Sequence, residues 1–325
     1  MITISKIAKL ANVSVSTASK AFSGSREVNE KTREIIFDIA KKYGVFKKFY
    51  NAKYPHIVIA VVIPEYYSGN YSVLISEIQK ELNERDCTMI VTAADFLEEK
   101  NETLLDYYSN YTDADGIIIV DGNIDIPDDF STPCVVIGNT TAKTVPLISI
   151  NIEKALDSAI EYFKKCGVES VGFISEMKTA IKLEKFKKAM EKIYGGYDEN
   201  SIVTTNCRFE ESGYEAITKL IKAGKLPRAL IVGYDNIAYG AMRALKECGL
   251  SVPDDVALVG FDDNPMSKYM APSLSSIDIK KEECAKAAVE IILNKIFALP
   301  YEKNVTIDAS FNLRESSVIR EKKTK

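Results

Sequence analysis

Residues 12–24 read NVSVSTASKAFSG. Five of these thirteen residues are Ser or Thr, side chains that compete with the backbone for hydrogen bonds and favour loops. Yet Ala18, Ala21 and Phe22 stand at i, i+3 and i+4, one face of a helix. The flanking residues resolve the conflict. Thr3 is placed to cap a first short helix with an apolar stripe of Ile4, Ile7, Ala8 and Ala11. Asn12 tolerates the left-handed region that a tight turn needs, and Ser14 can cap the second helix. Asn29 can cap a third, buried through Ile36, Ile39, Ala40 and Tyr43 and stopped by Gly44. This succession predicts a helix-turn-helix whose second helix enters the DNA major groove, its short hydroxyls close to phosphates and base edges. A small helical bundle with a polar outer face is the plainer alternative.

Charge favours the first reading. Residues 1–50 hold ten basic and four acidic side chains, a net +6; from a total of −4 this leaves −10 on the remainder. A basic head on an acidic body fits a phosphate-binding module joined to one that does not meet nucleic acid.

From residue 56 onward, β-branched runs alternate with amphipathic helices. HIVIAVVI (56–63), TMIVTAA (88–94), GIIIV (116–120) and CVVIG (134–138) read as buried parallel strands, with helices near 71–85 and 97–111. After LISIN (147–151) the cycle repeats through SVGFIS (170–175), SIVTTN (201–206), ALIVG (229–233) and VALVGF (256–261). Helices near 153–166, 181–194, 210–223 and 236–248 separate these strands. The fold class is α/β: a three-helix head followed by two doubly wound parallel-sheet units, with the cleft beyond their strand ends as the default ligand site.

Several function classes have little support. The six cysteines are scattered without a CxxC pair and His56 is the only histidine, which disfavours metal and cofactor sites and a His-based catalytic group; we expect no catalytic residues, no metal and no cofactor. No GxGxxG or GxxxxGK[ST] loop follows a strand. No apolar run approaches a membrane span and the N-terminal segment lacks a signal peptide's apolar stretch, so a cytoplasmic protein is expected.

Read together, TISKIAKLANVSVSTASKAFSGSREVNEKTREII, VVIPEYYSGNYSVLISEI, ADGIIIV, GYDNIAYGAMRALKECGLSVPDDVALVGFDD, APSLSSI and NLRESS appear in the order seen in the lactose/galactose-repressor family, which this chain resembles over nearly its whole length. The resemblance implies a homodimeric transcriptional regulator, usually a repressor, binding a palindromic double-stranded DNA operator. Its core would be like periplasmic sugar-binding proteins, crossing three times between subdomains and taking a small, carbohydrate-like effector. The implied domains are residues 1–45 (head), 46–55 (hinge) and 56–325 (core). Within the core, the N-subdomain would comprise about 56–149 and 279–307, and the C-subdomain about 150–278 and 308–325. By resemblance Val15, Ser16 and Lys20 face base edges, while Thr3, Ser14, Thr17, Ser19 and Arg33 hold phosphates. The implied effector set is Ser68, Tyr71, Lys182, Tyr234 and Asp262.

The chain departs from the family at its hinge and cleft. Val45 and Phe46 stand where Pro and Asn are usual, and Ala52 where a minor-groove leucine is expected. Phe46, Phe49, Tyr50 and Lys53 instead suggest a short helix over 46–53 ended by Pro55. Phe49 or Tyr50 would then serve as the wedge, or the aromatics pack on the core and Lys47, Lys48 and Lys53 touch phosphates. In the cleft, Asn70-Tyr71 replaces an aromatic pair, Asn151-Ile152 an Asp-Asn, Lys182 an arginine, and Tyr234 an asparagine; Asp262 is retained. Alternatives to the effector-controlled regulator are a regulator answering a protein partner or non-sugar ligand, a solute receptor, and an enzyme on a doubly wound sheet.

Overall fold

The computed structural model describes residues 2–23, 25, 27–49, 57–112, 114–121, 126, 130, 132–138, 140 and 144–319, without the side chains of residues 47, 48 and 98. The head contains α1 (Ile4–Leu10), α2 (Val15–Phe22), α3 (Glu30–Lys42) and a short α4 (Phe46–Phe49). Each cap forms as its residue type suggests. Thr3 Oγ1 accepts from the Lys6 amide at 3.3 Å, Ser14 Oγ from Thr17 at 2.9 Å and Asn29 Oδ1 from Thr32 at 2.9 Å. Asn12 takes a φ of 54° in the turn and Gly44 one of 68° after α3.

Ile7, Ala21, Phe22, Val28, Ile36 and Ala40 close the head's core. Tyr43, expected to share that buried face, stays 49% exposed as the C-cap, one residue past the end of α3. The expected hinge helix is also altered. Phe46 and Phe49 pack on the head itself, against Phe37 (centroids 5.1 Å apart) and Phe22 (5.6 Å) respectively. Both rings are thus engaged by the apolar cluster of the head, the nearest in sequence to this segment. Tyr50, Ala52, Lys53 and Pro55 lie outside the described residues.

The core holds two six-stranded sheets. The first has the order β11-β5-β4-β3-β1-β2, all parallel, from β1 (Ile57–Ile63), β2 (Cys87–Ala93), β3 (Gly116–Val120), β4 (Cys134–Ile137), β5 (Leu147–Asn151) and β11 (Asn304–Asp308). The second has the order β12-β10-β9-β8-β6-β7, from β6 (Val171–Glu176), β7 (Ile202–Thr205), β8 (Ala229–Val232), β9 (Ala257–Phe261), β10 (Ser275–Asp278) and an antiparallel edge strand β12 (Ser310–Asn312). Buried Val, Ile and Leu on both strand faces explain the nearly unbroken apolar runs in the sequence. Helices α5 (Gly69–Asn83) and α11 (Lys281–Ile296) cover one face of the first sheet and α6 (Glu98–Asn110) the other. Helices α7 (Glu153–Lys165) and α8 (Ala180–Tyr194) cover one face of the second, α9 (Phe209–Lys222) and α10 (Asp235–Glu247) the other.

The chain passes between the sheets after β5, after β10 and after β11. Two of these passages are stitched together: Asn151 Nδ2 donates to Asp308 Oδ1 at 2.8 Å and the Ala309 amide to the Asn151 carbonyl at 2.9 Å. Helices α9 and α10 meet backbone to backbone. A Cβ on Gly240 would lie 1.7 Å from the Glu210 carbonyl and one on Gly213 1.8 Å from that of Ile237, so both positions require glycine. That approach sets the two helix starts, and the residues just before them, side by side.

Candidate functional site

In the head, α2 turns Ala18, Ala21 and Phe22 inward and leaves Val15, Ser16, Ser19 and Lys20 exposed. Thr3 and Ser14 are exposed at helix starts, where free amides suit a phosphate. Thr17 is half-buried, its hydroxyl 2.8 Å from that of Ser14. Lys20 Nζ pairs with Glu27 Oε2 at 2.5 Å across the following turn. Arg33 is placed differently from the free phosphate ligand the resemblance implies. Its Nη2 donates to the carbonyls of Ser25 (2.7 Å) and Val28 (3.1 Å), so the guanidinium organises the loop behind α2.

In the core, the polar groups gather at the carboxyl ends of strands from both sheets, as expected of doubly wound folds. Lys182 Nζ donates to Asp262 Oδ1 at 3.2 Å and to the Gly233 carbonyl at 2.8 Å, and lies 4.7 Å from the centroid of the Phe261 ring. Lys281, from the other subdomain, donates to the Asp262 carbonyl. Tyr71 donates to Asp121 Oδ2 at 3.0 Å; burial first, then the Asp121 charge, pushes its phenol well above the usual range. Tyr234 accepts from the Phe209 amide at 2.9 Å, and burial pushes its phenol up as well. Ser68 stands at the start of α5 without a side-chain capping bond.

Two neighbouring contacts join the subdomains across the cleft. Arg208, just before α9, makes a two-bond fork to Glu65, just after β1, at 2.7 and 2.8 Å. Beside it the Tyr67 and Phe209 rings meet edge to face at 4.7 Å. Phe96 slots under the same guanidinium at 5.2 Å and under Lys178 at 4.4 Å. Phe96, Asp121, Phe209 and Asp262 all hold positive φ (60°, 48°, 55° and 90°), a strain concentrated where the strand ends present side chains.

Beneath this layer Asp235 is fully buried. It accepts from Ser276 and Ser267 and from the Asn264 amide, each at 2.7 Å. Burial, then the Asp262 charge, raises its carboxyl to about 7 despite these donors. Asp263 turns the other way, held down by Arg314 and Asn312.

Two family models match: bacterial regulatory proteins of the lacI family over residues 3–45, and a periplasmic binding protein-like domain over residues 160–317. The chain thus carries a lacI-family helix-turn-helix domain followed by a periplasmic binding protein-like domain. It is 28% identical to the HTH-type transcriptional regulator GalR of Streptococcus thermophilus over 92% of this chain and 94% of that one. Two solved structures share its fold. One is the lac repressor dimer bound to operator and an anti-inducer (19% identity, TM-score 0.76, 97% of this chain and 99% of that one). The other is a complex of the transcriptional regulator CelR with cellobiose (21% identity, TM-score 0.70, 98% and 100%).

Within the core, Lys182 and Asp262 are brought into direct contact, while Tyr71 and Tyr234 each have their hydroxyl engaged by the protein. Reasoning from motifs missed Glu65, Phe96, Asp121, Glu176, Arg208 and Phe209. Their signal was positional: each closes a strand or lies within a few residues after one. Among the described residues no cluster of His, Cys, Asp and Glu has a metal-binding arrangement, and no helix is long and apolar enough to cross a membrane.

Proposed function

We propose that this regulator is a repressor that binds a palindromic operator as a homodimer and is controlled by a small hydroxylated effector held between the core's two subdomains, with no catalytic role. The observation that carries this reading is the exposed face of α2: Val15, Ser16, Ser19 and Lys20 stand on a rigid, capped helix in a basic head. Support for the dimer and for the sugar class comes from the relatives, one solved as a dimer on its operator and one with cellobiose. A single head reads few base pairs, so two heads on two half-sites are needed for useful specificity. The Glu65–Arg208 fork favours a second reading, in which the cleft is held shut by its own side chains and a protein partner supplies the signal.

Binding-site selection with the full-length protein tests the first reading. A palindromic consensus is expected, and Lys20→Ala should lose about 1–3 kcal/mol of discrimination at the base it reads. An unchanged consensus in Lys20→Ala would remove α2 as the reading helix. Gel shifts with and without sugars then separate the small-molecule signal from a protein one.

A further inference from the structure

Arg208 stands between two carboxylates, one from each subdomain. Glu65 belongs to the first, just after β1, and receives both Nη groups at 2.7 and 2.8 Å. Glu176 ends β6 in the second, the subdomain that also carries Arg208. It is buried and fixed. Its Oε2 accepts from the Lys178 amide at 2.9 Å and its own amide donates to Thr179 Oγ1 at 3.0 Å, a completed capping box. Its Oε1 has no hydrogen-bond partner among the described residues, and neither has Arg208 Nε. These two atoms lie 3.8 Å apart, within ion-pair range but too far for a hydrogen bond.

One cation thus serves two carboxylates, and Glu65 receives its bonds. Glu176 keeps only the Coulomb attraction, in a setting where a buried carboxylate oxygen without a donor is costly. The two partners differ in what happens when the subdomains move. Three chain passages join the subdomains, an arrangement that permits a hinge. Separation withdraws Glu65, which water can then solvate. Arg208 and Glu176 stay together on one subdomain, and a shift of about 1 Å brings the freed guanidinium within bonding distance of Oε1. Each arrangement therefore satisfies one carboxylate fully, which keeps the two close in free energy. Lys178, the neighbouring cation, does not alternate in this way. Its Nζ lies 4.4 Å from the centroid of Phe96, a ring of the first subdomain, so its contact belongs to the closed arrangement, as does that of Arg208 with the same ring at 5.2 Å.

We propose that Arg208 is a two-position switch: it forks onto Glu65 when the subdomains are together and drops onto Glu176 Oε1 when they part, so that Glu176 is the counter-ion of the open core. The switch does not depend on the effector reading, because it biases opening whether a small molecule or a protein partner supplies the signal. Without Glu176, opening strands a half-buried guanidinium; with it, opening exchanges one ion pair for another. Removing one carboxylate or the other shifts the equilibrium in opposite directions.

The test measures the distance between the subdomains in the full-length protein by electron–electron double resonance. Spin labels are carried on ketone-bearing residues introduced at Glu102 and Lys222, both exposed and one on each subdomain. Unlabelled chain is added so that each measured distance lies within one chain. Glu65→Gln should raise the ratio of open to closed core roughly 10-fold over the unaltered protein. Adding Glu176→Gln to Glu65→Gln should lower that ratio again by a similar factor, because the open guanidinium has lost its carboxylate. A residue that only caps the end of β6 would leave the distances of Glu65→Gln unmoved or spread them further. Glu176→Asp keeps the charge and a capping oxygen but draws the carboxylate back by one methylene. It should act as Glu176→Gln does, and it answers the question should that variant fold poorly. A ratio unchanged by Glu65→Gln, or a double variant as open as Glu65→Gln alone or more so, overturns the switch.

Discussion

In the head, Ser14, Ser16, Ser19 and Lys20 face solvent, and the bonds that fix Ser14 and Lys20 reach no further than seven residues along the chain. In the cleft, Glu65, Glu176, Arg208 and Asp262 are buried or half-buried and pair over as many as 143 residues. The difference separates two kinds of sensitivity. A polar side chain on α2 can change with little effect on folding and, in the proposed reading, a direct effect on what DNA is read. A polar side chain in the cleft is part of the packing, and its loss leaves buried partners unpaired.

Asp235 is the sharpest case on the cleft side. Asp235→Ala strands two serine hydroxyls and the Asn264 amide, and is expected to cost about 4 kcal/mol. Asp235→Asn keeps the shape and isolates the charge. The folded carboxyl sits near 7 against an ordinary 3.8, so the folded chain holds a proton that the unfolded chain has already released. The stability this group contributes is fully present below pH about 4 and is lost as pH rises through 7. The gap in Tm between unaltered protein and Asp235→Asn should therefore shift against the unaltered protein from pH 5 to pH 8. A gap that does not move with pH would place the ordinary carboxylate at Asp235.

Phe49 tests whether the head is as self-contained as its local bonds suggest. Its ring packs 5.6 Å from Phe22, which caps the hydrophobic cluster behind α2. Being half-buried, Phe49→Ala should cost about 1–2 kcal/mol, less than the ~3–5 of a fully buried ring. Hydrogen exchange on the intact chain should show faster exchange in α1–α3 and unchanged protection in the two sheets. Unchanged protection in the head would mean that Phe49 contributes nothing there.

The same contrast explains what could be read from the sequence. Thr3, Ser14 and Asn29 were legible as caps because each bonds an amide three residues on, and a spacing of three is visible in a string of letters. The strands were legible because both of their faces are buried. Lys182 and Asp262 came from the family resemblance, and the fold places them 3.2 Å apart. Glu65 and Arg208 were not legible as a pair: nothing in IPEYY or NCRFE refers to the other, and only closure of two sheets brings them together. Phe46 and Phe49 had the right helical spacing but the wrong neighbour, because periodicity says which residues share a face and not what the face meets.

The smallest expected effect falls on the head and bears most directly on its independence. Glu27 holds Lys20 at 2.5 Å, yet the two side chains are 70% and 46% exposed, a setting in which an ion pair contributes about 0–1 kcal/mol to folding. In the proposed reading, Lys20 exchanges this carboxylate for a base edge on DNA, and the Glu27 charge then faces phosphates. Glu27→Gln should leave Tm within a degree or two and raise operator affinity by a fewfold, equivalent to less than about 1 kcal/mol. The gain has two parts with different signatures. Relief of phosphate repulsion shrinks as salt rises from 50 to 200 mM and persists in a Lys20→Ala background. Release of Lys20 is specific to the preferred site and vanishes in that background, so a double-mutant cycle on preferred and scrambled operators separates them. A loss of affinity in Glu27→Gln would mean that the pair holds Lys20 in its reading position, and α2 would then depend on the turn behind it.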